Sequence, residues 1–203
     1  MFEIVKAGGI VMVPIILASI VAAAIFLERL WTLQGRRVVP AELTDKVWKW
    51  VEQNQITDKH IQALQQNSAL GKILAAGLAN RHRDRAIIKE AIEDAGRHVV
   101  HELDRFISTL GTIASVSPLL GLLGTVTGMI KTFNTLSTAG AGNPMALAGG
   151  IAEALITTAA GLTVAIPALL AYKYLRGRVT TLVVKMEKEA IKLVHAIEAG
   201  AVV

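Results

Sequence analysis

The stretch "GGIAEALITTAAGLTVAIPALLAY", Gly149 to Tyr172, is almost wholly apolar, yet it carries one carboxylate, Glu153, and two adjacent hydroxyls, Thr157 and Thr158. Thr157 stands at i+4 from the acid and shares its helical face, Thr158 lies close to that face, and Gly161 at i+8 leaves room beside it. Upstream, Asn143 and Pro144 read as a helix start, an N-cap followed by a proline at the first helical position. Glu153 then lies roughly 14 Å along the helix from Pro144. That depth places it inside a membrane-length segment, where insertion of an acid costs about 2.5–3.5 kcal/mol at the centre. Such an acid usually faces a bundle interior or a hydrated path and is poised to take up and release a proton. The bland alternative is a glutamate that snorkels to the interface or caps a neighbouring helix. Its short side chain and the nine residues preceding it from Pro144, none of them charged, argue against that. The three apolar spans contain no Asp, Lys, Arg or His, so Glu153 is expected to be alone in its chain. A second group would then come from other copies or from a partner.

A second apolar stretch, "ISTLGTIASVSPLLGLLGTVTGMI" from Ile107 to Ile130, offers Thr112, Ser115, Ser117, Thr125 and Thr127. Membrane hydroxyls either hold helices together or line a hydrated path. Gly121, Gly124 and Gly128 lie in "GLLGTVTG", where Gly124 and Gly128 have the small-xxx-small spacing that lets helices approach closely. This is no phosphate loop, because no Lys–Ser/Thr pair follows it and no strand precedes it. Pro14, Pro118 and Pro167 are expected to kink the spans that contain them.

These groups need elements to position them. The chain has 203 residues, 53% of them hydrophobic, and a mean hydropathy of +0.50, too apolar for an ordinary soluble domain. Three stretches reach the roughly 20 residues that cross a bilayer: 8–27, 107–130 and 144–172. The first resembles a signal peptide at Ala22–Ala24, but its apolar run continues past those small residues. Of 21 Lys and Arg residues, 13 fall between spans one and two and six follow span three; only Lys6 and Lys131 lie on the other side. Basic residues stay in the cytoplasm. The N-terminus and the 132–143 loop are therefore expected outside, and residues 28–106 and 173–203 inside. The net charge of +5 reflects this topology and not nucleic-acid binding.

The cytoplasmic parts read as helical. Ile88, Ile92, Ala95, Val99, Leu103 and Phe106 recur at helical spacing. Nothing but Gly96 interrupts that pattern before span two, which predicts one helix from Asp84 to Lys131, roughly 70 Å long. The tail repeats the stripe with Leu175, Val179, Leu182, Met186, Ala190, Leu193 and Ile197, expected to pack against the first stripe and neighbouring subunits. Residues 38–80 read as shorter helices broken at Pro40 and Gly71. The fold class is thus an all-α membrane protein forming a single membrane domain over 1–203. Without cysteine there is no disulfide scaffold or Cys-ligated metal. His98 and His101 share a face with no third ligand, and no Ser-His-Asp triad, HExxH or Walker pattern is present, so neither an enzyme, a metal site nor a cofactor is expected.

"SPLLGLLGTVTGMIKTF" and "GGIAEALITTAAGLTVAIPALLAY" resemble the two signature helices of the MotA/TolQ/ExbB proton-channel family, most of all its ExbB branch and next its TolQ branch. The likeness is best over Ile107–Tyr172; the cytoplasmic loop matches in size and helical character only. Flagellar-motor relatives have a fourth span that this sequence lacks, and the short outer N-terminus lacks the extension of some ExbB proteins. The resemblance implies a homo-oligomer of pentamer type around a central pore. It implies a dimeric ExbD-like or TolR-like partner whose membrane helix carries an Asp, and output to a TonB-like or TolA-like protein. It matches Glu153 to the family's intramembrane Glu, and Thr158 and Thr125 to its pore threonines, with Thr157 continuing the polar face. It implies a bacterial inner-membrane location, protons passing inward, and partner helices that move. A membrane scaffold that binds a partner helix without moving ions is the competing reading; proteoliposomes showing no pH change in any assembly would favour it. On the family reading, Thr158→Val or Thr125→Val dehydrates the path and is expected to weaken proton-driven uptake without loss of the protein from the membrane; uptake by each variant in cells checks this.

Overall fold

The computed structural model describes residues 7–53, 55–139 and 144–198. Among them the secondary structure is helical: α1 Met12–Thr32, α2 Gly35–Val38, α3 Ala41–Glu52, α4 Asp58–Asn67, α5 Ala69–Ala79, α6 Arg85–Asp104, α7 Ile107–Ala139 and α8 Pro144–Glu198. Three helical stretches are long and apolar enough to cross a membrane. The chain divides into two compact units, one of residues 1–28 and 106–174, the other of residues 29–105 and 175–203.

The first unit holds the three apolar segments. Helix α1 begins at Met12, later than the expected span, because Gly9 is left-handed at φ +66° and turns the chain before the helix starts. Pro14 therefore stands in the first turn, where a missing N–H breaks no intrahelical bond. The expected kink at Pro14 has no cause there. Pro118 and Pro167 lie inside α7 and α8. Helix α7 runs nine residues past Ile130, so most of the expected outer loop is helix. No Gly or Pro stands between Gly128 and Gly140 to stop it. Its hydroxyls fold back on the helix: Thr132 donates to Gly128 O at 3.0 Å and Thr135 to Lys131 O at 2.9 Å. Helix α8 starts at Pro144 as read from the sequence; its expected cap, Asn143, and the basic Lys6 lie outside the described residues. Many large apolar side chains of this unit are exposed, Leu17, Leu119, Leu155 and Leu170 among them, while Ile15, Ile107 and Leu110 are buried. Its interior contains Ala114, Ser117, Ala154, Thr157, Ala165 and Ala168. Small residues in the interior and many leucines on the outside suit a solvent of hydrocarbon.

The second unit is built the other way round, with leucines inside. The stripes read from the sequence are buried here: Ile88, Ile92, Val99 and Leu103 on α6, and every one of Leu175, Val179, Leu182, Met186, Ala190, Leu193 and Ile197 on α8. Helix α5 is apolar on nearly all sides and lies at the centre. A Cβ on Gly77 would meet Ile92 Cδ1 at 2.9 Å and Leu193 Cδ2 at 3.0 Å, so α5, α6 and the end of α8 converge on that glycine. Ion pairs close the edges: Lys72 with Glu102 at 2.7 Å, and Arg85 with Glu198. Trp50 stacks on His60 at 4.2 Å, joining α3 to α4.

Two further boundaries differ from the sequence reading. The helix expected to run unbroken from Asp84 to Lys131 stops at Asp104; Arg105 turns out of the helix at φ −52° and ψ 133°, and Phe106 is left-handed, at φ 63°. Gly96, the weak point of the pattern, stays within α6. A left-handed non-glycine residue costs roughly 1–2 kcal/mol. The cost is borne because Leu103 and Ile107, on either side, are each buried in their own unit. Phe106 itself is exposed and does not join the α6 stripe. The expected break at Gly71 falls instead at Ser68, whose hydroxyl caps α5 by accepting from Gly71 N–H at 3.1 Å. Gly71 is inside that helix, and a Cβ there would overlap Leu64 O. Ser68→Ala is expected to remove about 1 kcal/mol of stability, read as a lower midpoint in thermal unfolding followed by circular dichroism.

Candidate functional site

The site is built on the seam between α7 and α8, which run antiparallel in the first unit. Ser117, Gly121, Gly124, Gly128 and Thr132 recur every three or four residues and form one face of α7. Gly161, Thr158, Thr157, Ala154 and Gly150 face them in reverse order on α8. The two backbones touch. A Cβ on Gly121 would lie 3.0 Å from Thr158 Cα, one on Gly128 2.6 Å from Gly150 O, and one on Gly161 2.6 Å from Ser117 O. Thr158 Oγ1 donates across the seam to Gly121 O at 3.1 Å. Side chains any larger would separate the helices, and that interhelix bond would be lost.

Thr157 has no exposed surface. Its hydroxyl donates to Ala154 O at 2.9 Å and Glu153 O at 3.0 Å, and its side chain fills the space where Gly124 lacks a Cβ. The polar face expected to continue from Glu153 through Thr157 is therefore interrupted by packing. Thr125, on α7, is partly exposed and donates within its own helix to Leu122 O at 2.6 Å. The structure thus brings Glu153, Thr157 and Thr158 to one seam with Gly121, Gly124, Gly128 and Gly161, and holds Thr125 by a bond within α7.

Glu153 is not alone. Lys131 Nζ lies 2.5 Å from its Oε1. The carboxylate is mostly covered, with 15% of its side chain exposed, whereas the Lys131 side chain is 57% exposed. The expectation of a lone acid therefore does not hold: the cation comes from the same chain. The sequence reading counted Lys131, the last residue of the expected helix, only as a basic residue on the outer side, because the apolar span ends at Ile130. Within α7, Lys131 stands three residues past Gly128 and seven past Gly124, beside the seam. Gly9 was also missed. Its left-handed backbone lies against the carboxylate, and a Cβ there would overlap Glu153 Oε1. The pattern "GG" ahead of an apolar run is the only trace of it in the sequence. Ser117, Thr132, Gly150 and Ala154 are also seam residues that the sequence reading did not place against α8 or α7.

A covered carboxylate, a cation that reaches it from a more exposed position, and hydroxyls on a tightly packed seam define a helical membrane protein with an ionisable group among its packed helices. Residues 65–188 match the MotA/TolQ/ExbB proton channel family, and the chain belongs to that family. It is 37% identical over 171 residues to a biopolymer transport protein, ExbB-like 1, of Synechocystis sp., covering 83% of this chain and 67% of that one. It is 33% identical over 184 residues to the Tol-Pal system protein TolQ of Haemophilus influenzae, covering 85% and 81%. An ExbB homolog of Methanothermobacter thermautotrophicus is 31% identical over 186 residues, covering 91% and 66%.

The seam makes a sharp contrast between glycines. A Cβ on Gly124 would overlap the Thr157 side chain, whereas one on Gly149 meets nothing within 4 Å. Gly124→Ala is expected to lower the thermal unfolding midpoint of the detergent-solubilised protein and Gly149→Ala to leave it unchanged or raise it slightly.

Proposed function

We propose that the chain is the proton-conducting subunit of an inner-membrane motor complex, one that uses the proton motive force to energise TonB-dependent transport across the outer membrane. The observation that carries this reading is Glu153: a covered, ion-paired carboxylate in an otherwise uncharged helix stretch, at a seam of helices close enough to exclude bulk water. An acid in that setting is retained at a cost and by default marks an ion pathway. Thr158 and Thr125 supply hydroxyls along the path, and Thr157 holds the seam.

The working assembly is a homo-oligomer of pentamer type that encloses the membrane helices of an ExbD-like dimer, whose Asp is the second acid. A TonB-like protein takes the output. The distribution of Lys and Arg supports an N-terminus in the periplasm and a C-terminus in the cytoplasm. Each charge crossing 100 mV carries about 2.3 kcal/mol, so a few protons suffice to move one packed helix against another. The TolQ-type reading, with TolR-like and TolA-like partners and a role in outer-membrane integrity, is favoured by the identity to the Haemophilus influenzae protein over most of both chains.

Glu153→Gln keeps the shape and removes the charge. It is expected to leave oligomer and partner assembly intact on native gels while abolishing energised uptake. Normal uptake by that variant would sink the proton reading. Loss of detergent resistance in place of uptake would select the TolQ-type system.

A further inference from the structure

Glu153 is held from two sides by groups that the proton reading does not use. Lys131 comes from α7, one turn beyond Gly128, and its ammonium sits 2.5 Å from Glu153 Oε1. Gly9 comes from the turn before α1, and its backbone lies against the same oxygen so closely that no side chain fits. All three residues belong to one unit of the chain, so the arrangement needs no second copy. The two contacts differ in kind. Gly9 is a wall: its φ of +66° is open to glycine and strained for other residues, and it fixes where the carboxylate can lie. Lys131 is a movable charge: most of its side chain is exposed while the carboxylate is covered, so the ammonium can withdraw and the acid cannot follow.

We infer that Lys131 and Gly9 are positioning residues that latch Glu153, with the Lys131 ammonium occupying Oε1 and the Gly9 backbone closing the side from which the carboxylate could otherwise turn away. The inference rests on the reading of Glu153 as the proton site. It adds a step to that reading: Lys131 must leave Oε1 before Glu153 can exchange a proton there, so the subunit is closed to protons until the ion pair opens. An ammonium serves this purpose where a neutral donor would not, because a charge-assisted bond is about twice as strong as a neutral one. Arginine keeps the charge and the reach.

The test is the reactivity of Glu153 toward a hydrophobic carbodiimide, dicyclohexylcarbodiimide, in membranes containing the full chain, read by mass spectrometry of the peptide that carries the acid. Lys131→Gln is expected to raise the labelling rate about fivefold, the scale of a partly exposed ion pair. Lys131→Arg is expected to restore slow labelling, which a merely structural role for the lysine stem would not predict. Gly9→Ala pushes the carboxylate off its position and is expected to raise labelling as well. Labelling of Lys131→Gln at the parental rate overturns the latch, as does a Lys131→Arg chain that labels as fast as Lys131→Gln. A Gly9→Ala chain that labels at the parental rate overturns the part assigned to Gly9. The measurement requires neither partner nor proton flux, so its failure removes the latch and leaves the proton reading intact. Normal uptake by the Glu153→Gln complex does the reverse.

Discussion

The contact between α7 and α8 is the constraint on which the membrane part of this protein depends. In hydrocarbon there is no hydrophobic force to press two apolar helices together, because lipid tails solvate leucine as well as a neighbouring helix does. Association has to come from close packing and from polar contacts that lipid cannot offer. Gly121, Gly128 and Gly161 supply the first by letting backbone meet backbone, and Thr158 supplies the second by bonding to Gly121 O. The same contact sets the antiparallel register, and the register is what carries Lys131 to Glu153. One helical position of slip would turn the lysine off the seam by about 100°. The ion pair is therefore a consequence of the glycines as much as of the two charged residues.

The second unit solves a different problem with the same helix. In its membrane part α8 hides small residues and shows Leu155, Ile166 and Leu170. Beyond Leu175 it hides Leu182, Met186 and Leu193 and shows Lys and Glu. Water makes burial of the large side chains favourable, by roughly 1.5–3 kcal/mol for each. The inversion along one continuous helix records where the solvent changes. It also explains why the amphipathic stripes of the tail and of α6 were readable from spacing, whereas the seam of the spans required attention to residue size.

Much of the fold was legible. The helix start at Pro144, the three apolar segments and every residue of the tail stripe were in the pattern of the sequence, since each depends on local chemistry or on simple periodicity. The misplaced boundaries share a cause. The left-handed turn at Phe106 carries no Gly or Pro to announce it and is held by burial of Leu103 and Ile107. The cap at Ser68 competed with a more conspicuous glycine three residues later, and the helix beyond Lys131 lacked the hydrophobicity by which spans are recognised. Where propensity is weak, tertiary packing decides.

The same division holds at the site. Sequence alone determined that one acid lies in a membrane-length helix, that hydroxyls stand near it, and that glycines recur at the spacing of a helix contact. These follow from residue type and the 3.6-residue period. Only the tertiary structure decided that Thr157 is sealed into the seam, that Gly9 lies on the carboxylate, and that Glu153 has a cation from its own chain 22 residues away. Pairings of that kind depend on the register between two helices, and register is a property of how the surfaces fit, which no single stretch of sequence contains.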